Sequence, residues 1–244
     1  MPPKKKEEAP KKVILGRAKN SLEMGLVGLP NVGKSSTFNV LSKLAVPAEN
    51  YPFCTIDPNT AKINIPDKRF EKLVAHYKPK SIVPAQISIT DIAGLVKGAS
   101  SGAGLGNAFL SHINAVDGIY HVVRAFPNEE VIHEEGDIDP IRDIQIINGE
   151  LIAKDIQHLE RAVADVQARI KRKKEKRDEE ELELLAKVGE MFKAEKFVKD
   201  GNWSGKEVEF LNNHLFLTSK PVVYLVNIGD VQYVKKQNAW LPKI

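Results

Sequence analysis

From Leu22 onward, short apolar runs alternate with stretches of helical period, the arrangement of a sheet with helices packed on its faces. Strands are predicted at residues 24–27, 62–65, 85–90, 119–123 and 222–226. The last two are nearly continuous in apolar residues, which predicts parallel strands covered on both faces. The class is therefore α/β with a mostly parallel sheet. Between residues 144 and 199 the period changes, with Ile152, Ile156, Leu159, Val163, Val166 and Ile170 recurring at steps of four and three, a heptad seam. A basic run at 171–177 and an acidic run at 178–183 follow, after which Leu185, Val188 and Phe192 restart the seam. This predicts an antiparallel, coiled-coil helical hairpin inserted into the α/β domain. The boundaries drawn are a disordered basic tail over 1–20, an α/β domain over 21–143 and 204–244, and the helical insertion over 144–203. The tail has almost nothing to bury and so cannot offset the entropy of ordering.

Composition changes this picture little. The chain has 244 residues, and 36 Lys and Arg against 32 Asp and Glu leave a mild positive balance that makes no case for sequence-specific DNA binding. Its single cysteine, Cys54, excludes an intrachain disulfide and a multi-cysteine zinc site. No run reaches the length needed to cross a bilayer, so no membrane partner is expected. The expected location is the cytoplasm, and the Lys4-Lys5-Lys6 cluster allows a nuclear address as well.

The chemistry lies in motifs between the predicted elements. The first strand runs into Gly28-Leu-Pro-Asn-Val-Gly33-Lys34-Ser35, followed by a helical stretch over 37–44. Strand, glycine loop and helix in this order make a P-loop. The glycines let successive amides face phosphate oxygens, Lys34 reaches the terminal phosphates, the helix N-terminus adds a favourable field, and Ser35 offers a hydroxyl to magnesium. After the third strand comes Asp91-Ile-Ala-Gly94. Its carboxylate can hold magnesium through a water, and the Gly94 amide can sense a γ-phosphate. The glycines beyond it (Gly98, Gly102, Gly104, Gly106) read as a switch. Thr55, in an unpatterned loop between the two elements, is the candidate second magnesium ligand. Asn227-Ile228-Gly229-Asp230 follows the last strand, where base recognition belongs. A guanine reader has Asn-Lys-x-Asp there, and Ile228 replaces the lysine, which puts guanine specificity in question. Asn31, inside the P-loop, raises a potassium ion as a further cofactor.

Taken together, Gly28-Leu-Pro-Asn-Val-Gly-Lys-Ser35, Pro52-Phe-Cys-Thr-Ile-Asp-Pro58, Asp91-Ile-Ala-Gly-Leu-Val-Lys-Gly98, Gly104-Leu-Gly-Asn-Ala-Phe-Leu110 and Ser219-Lys-Pro-Val-Val-Tyr-Leu-Val-Asn227 resemble the Obg-like ATPase (YchF) family, in its eukaryotic branch. The resemblance implies a translation-factor-class P-loop nucleoside-triphosphatase that prefers ATP to GTP, carries a coiled-coil insertion and associates with the ribosome, its large subunit foremost. It places nucleotide contacts on Asn31, Val32, Gly33, Lys34, Ser35, Ser36 and Ile228, and magnesium on Ser35 and Thr55. Leu95 stands where many GTPases carry the glutamine that positions the attacking water, a task a leucine cannot perform. The resemblance offers His133, in Ile132-His-Glu-Glu-Gly136, as the catalytic replacement, because an imidazole can orient or accept a proton from water near neutral pH. Two departures stand out. The family has glutamate where this chain has Asp230, and the sequence stops at Ile244 without the closing strand, helix and TGS domain, so a truncated chain is expected. Without a resident arginine finger, turnover is expected to be slow, since that element is worth about 10³ to 10⁵ in rate. The rival reading is a nucleotide-switched binding module in which hydrolysis is incidental.

Overall fold

The computed structural model describes residues 14–16, 21–43, 59–95, 98, 105–128 and 131–244. The strands are β1 (Leu22–Val27), β2 (Asn59–Asn64), β3 (Gln86–Asp91), β4 (Gly118–Arg124) and β5 (Val222–Asn227), joined in one sheet of order β2-β3-β1-β4-β5. β1 pairs in parallel with β3 and β4, and β5 in parallel with β4, while β2 runs antiparallel to β3. This makes β1 the central strand, with Met24, Leu26 and Val27 buried. The connections diverge to either side of it, so a crevice opens at the carboxyl ends of the strands, where ligands of open α/β sheets bind.

β5 departs from the expectation of a strand covered on both faces. Among the described residues it lies at one edge of the sheet beside β4, and Val223 and Tyr224 are 49% and 37% exposed. Its continuous apolar run is legible as a strand, but the run does not say which strands flank it.

The helices are α1 (Lys34–Ser42), α2 (Lys68–Tyr77), α3 (Leu105–Ala115), α4 (Pro140–Arg172), α5 (Lys176–Lys193), α6 (Gly205–His214) and α7 (Asp230–Lys235). α1 begins at Lys34, three residues before the helical pattern becomes readable, and ends before Lys43, whose φ of 57° is left-handed. α4 starts at Pro140, capped by Asp139, whose side chain accepts from the amides of Ile141 and Arg142. α4 and α5 pack as the expected hairpin, with Leu184, Leu185, Val188 and Phe192 of α5 buried.

The seam on α4 differs from the heptad reading. Ile152, Asp155, Leu159, Ala162 and Val166 are buried, whereas Ile156 is 37% exposed. Asp155 takes the seam position because α4 packs on the 3₁₀ turn Leu217–Ser219 as well as on α5. That turn supplies three donors to the carboxylate: the amides of Leu217 and Thr218, each at 2.8 Å, and the Thr218 hydroxyl at 2.7 Å. Residues 14–16 also differ from the free tail expected over 1–20. The Asn212 side chain on α6 accepts from the Gly16 amide and donates to the Ile14 carbonyl.

Candidate functional site

The ends of β1, β3, β4 and β5 converge on one edge of the sheet, and each contributes a polar residue or loop there. The register sets Leu26 beside Asp91 and Arg124 beside Asn227, so pairing the strands fixes the positions of the side chains that follow them. From β1 the chain turns through Gly28 to Gly33 into α1. Gly33 caps α1 at φ 101°, a conformation costly for any side chain, and a Cβ there would lie 2.6 Å from Asn227 Nδ2. Asn227 occupies that space, donating from Nδ2 to the Val32 carbonyl at 3.0 Å, so the end of β5 is pinned to the phosphate loop.

Inside the loop, Lys34 is only 8% exposed and donates from Nζ to the Leu29 carbonyl at 2.7 Å. The Ser35 hydroxyl donates to Asp91 Oδ2 at 2.6 Å, and Asp91 is fully buried. A hydroxyl and a carboxylate meeting beside the phosphate loop form an all-oxygen donor pair, which suits a hard cation such as magnesium. No cluster of three or more His, Cys, Asp or Glu residues able to hold a metal occurs among the described residues. Magnesium is commonly held by one or two carboxylates together with substrate phosphates and waters. Thr55, the other expected ligand, and Cys54 lie outside the described residues. Ser36 is exposed on the first turn of α1, and Val32 is buried beneath the loop.

The segment after Asp91 is seated directly on the P-loop. The Leu95 amide donates to the Gly28 carbonyl at 3.2 Å, and a Cβ on Gly94 would come within 3.1 Å of Pro30 N and Cα, so only glycine fits without moving the loop. Leu95 is buried at 1% exposure and is part of the core. Beyond it, the Gly98 amide donates to Glu150 of α4 at 2.6 Å, linking the expected switch to the hairpin.

His133 is brought close to the P-loop but turned elsewhere. Asn31, at φ 59°, donates from Nδ2 to the carbonyl of neighbouring Ile132 at 3.1 Å. The imidazole itself is buried, with Nδ1 accepting from the Glu135 amide at 3.1 Å and Nε2 lying 2.9 Å from Asp143 Oδ2. An accepting Nδ1 puts the proton on Nε2, which therefore donates to Asp143. Burial pushes the Asp143 carboxyl up, against the lowering effect of His133 and Arg142. In this arrangement both ring nitrogens are committed to α4 and to the histidine's own loop.

In the loop after β5, where base recognition was expected, Ile228 is half-buried, and Asp230 is exposed as the first residue of α7. Sequence reasoning missed Arg124, a 1%-exposed arginine at the end of β4. It also missed His121, buried on β4 beside Val27, although a histidine interrupting the apolar run Ile119-Tyr-His-Val-Val123 was a visible signal. Burial, and secondarily the charge of Lys34, push the His121 imidazole down to about 4. Because the folded value lies below the ordinary 6.5, His121 favours the fold above pH 6.5 and withdraws that contribution as pH falls toward 4. At about 1.4 kcal/mol per unit, the loss across that window is about 3 kcal/mol. Urea unfolding at pH 7, 6 and 5 should show a shallower acid decline in His121→Asn than in the unaltered chain, and parallel declines would contradict this assignment.

A mostly parallel sheet with a glycine loop between its central strand and a helix, an Asp-x-x-Gly segment resting on that loop and an asparagine reaching it from β5 defines a P-loop nucleotide-binding protein. A family model described as 50S ribosome-binding GTPase matches residues 23–185. Obg-like ATPase 1 of Caenorhabditis elegans is 51% identical over 244 residues, covering 100% of this chain and 62% of that protein. The human Obg-like ATPase 1 is 49% identical over 249 residues, with the same coverage of both. The solved structure of the Schizosaccharomyces pombe YchF GTPase superimposes with a TM-score of 0.77 at 47% identity, covering 95% of this chain and 63% of that one. The chain belongs to the Obg-like ATPase (YchF) family of P-loop GTPase-fold proteins, and it spans less than two thirds of the length of these relatives.

Proposed function

We propose that this chain binds ATP with magnesium in preference to GTP, hydrolyses it slowly, and couples the nucleotide state to docking on the ribosome, its large subunit foremost, in the cytoplasm. The observation that carries the reading is the Ser35–Asp91 pair at 2.6 Å, set against the amides of the P-loop and beside Lys34. Ser35 and Asp91, with Thr55, would hold the metal, which when bound neutralises charge on the polyphosphate. Lys34 and the loop amides stabilise the charge that develops on the transferred phosphoryl group, and the N-terminus of α1 adds its field. The half-buried Ile228 supports ATP, because an aliphatic side chain stands where a guanine reader has lysine. The name that the matching family carries supports a ribosomal partner.

His133 favours a second reading, in which nucleotide binding is the output and hydrolysis is incidental. With its ring tied to Asp143 and to the Glu135 amide, and with the buried Leu95 in the glutamine position, turnover through His133 would require the ring to leave its present partners.

Titration with ATP and GTP in the presence of magnesium should give ATP the tighter binding by about tenfold. Equal or tighter GTP binding would sink the ATP assignment. Hydrolysis should also run faster in potassium than in sodium buffer, with the Asn31 side-chain oxygen contributing to the cation's shell. Equal rates in the two salts would remove potassium from the scheme.

A further inference from the structure

We propose that Arg124 and Asn238 are positioning residues that frame the base-side wall of the nucleotide site, an inference that rests on the nucleotide-binding reading above. Arg124 ends β4, and its fully buried guanidinium gathers three carbonyls of the following loop: Phe126 from Nε at 3.2 Å, Val131 from Nη1 at 2.9 Å and Asn128 from Nη2 at 2.9 Å. The guanidinium also lies over the Phe126 ring, 4.9 Å from its centroid, and Asp143 supplies a favourable field. Burying this charge costs free energy that only satisfied hydrogen bonds and a counter-charge offset, and a planar fork of donors is what meets three divergent acceptors.

Asn238, three residues beyond α7, secures the same loop from the other side. Its Nδ2 donates to the Ala125 carbonyl at 2.9 Å and to Gln232 Oε1 at 3.0 Å. Gln232 Oε1 also accepts from the Gly229 amide at 3.2 Å, and the Ala125 amide donates to the Asn227 carbonyl at 2.8 Å. Asn238 is itself held, its Oδ1 accepting from the Trp240 amide at 2.8 Å. A Cβ on Gly229 would sit 3.6 Å from Phe126 Cβ, so the loop after β4 and the base-reading loop after β5 abut. The two side chains thus weld these loops into one wall, which meets the phosphate loop only at its rim, through Asn31 on the Ile132 carbonyl and Asn227 on the Val32 carbonyl, and makes none of the contacts above with Lys34, Ser35 or Asp91. This frame sets the contribution of the base to binding, separately from the grip on the phosphates.

The test compares ATP with inorganic tripolyphosphate, which has no base, each titrated with magnesium into the unaltered chain, Arg124→Lys and Asn238→Ala. Lysine keeps the charge but loses the fork, and Asn238→Ala serves where Arg124→Lys fails to fold. Each variant should lose about tenfold in affinity for ATP while holding tripolyphosphate as the unaltered chain does. Equal losses for both ligands would mark a general structural effect and overturn the proposal, as would an undiminished advantage of ATP over tripolyphosphate. If the unaltered chain binds tripolyphosphate as tightly as ATP, the nucleotide reading falls and takes this inference with it. If it prefers ATP and the variants prefer it by the same factor, only the inference falls.

Discussion

Lys34→Ala is expected to lower the single-turnover rate of ATP hydrolysis by about 10² to 10³-fold, the usual consequence of removing one preorganised charge-stabilising donor. Lys34 opens α1 and is almost wholly buried, with Nζ held on the Leu29 carbonyl of its own loop. A cation already desolvated and fixed beside the phosphate site need not reorganise as negative charge develops on the phosphoryl oxygens. The Ser35–Asp91 pair and the loop amides remain in the variant, so affinity for magnesium-ATP should fall less than the rate does. Undiminished hydrolysis in a folded Lys34→Ala protein would remove the proposed mechanism.

Asp155→Ala should destabilise the fold by about 3 kcal/mol or more, read as a shift in the urea midpoint at pH 7 with unchanged slope. Burial pushes the Asp155 carboxyl up, and the three donors from Leu217 and Thr218 work against that burial. Alanine leaves two buried amides and a buried hydroxyl without their acceptor and opens a gap where α4 meets the 3₁₀ turn. The turn leads directly into β5, and the neighbouring Lys220 reinforces the junction by donating from Nζ to the carbonyls of Asn114 and Val116. Loss of Asp155 should therefore loosen the strand that carries Asn227. A midpoint within about 0.5 kcal/mol of the unaltered chain would show that Asp155 is not the anchor described.

What the sequence made legible is what local chemistry determines. The five strands fall within two or three residues of their predicted positions, because each apolar run carries its own signal. Ser35, Lys34 and Asp91 were found because glycine spacing and strand-end position constrain them within short stretches of chain. Asp155, Arg124 and Asn238 escaped notice because their partners lie in loops that only the folded topology brings near. Asp155 meets residues more than sixty positions away. Asn238 reaches back to Ala125 across the whole hairpin. The exposed Ile156 has the same origin. A heptad reading assumes one facing helix, and α4 has two neighbours with different demands.

The hairpin's long helix has a mechanical consequence. α4 is one unbroken segment of 33 residues, about 50 Å from end to end. Near its base, Asp143 holds His133, whose neighbour Ile132 rests on Asn31, and two turns further along Glu150 holds Gly98. Both anchorages sit close to the fulcrum of a stiff rod. A tilt of about five degrees there sweeps the far tip through about 4 Å, so a rearrangement too small to see at the phosphate loop becomes leverage on whatever the tip touches.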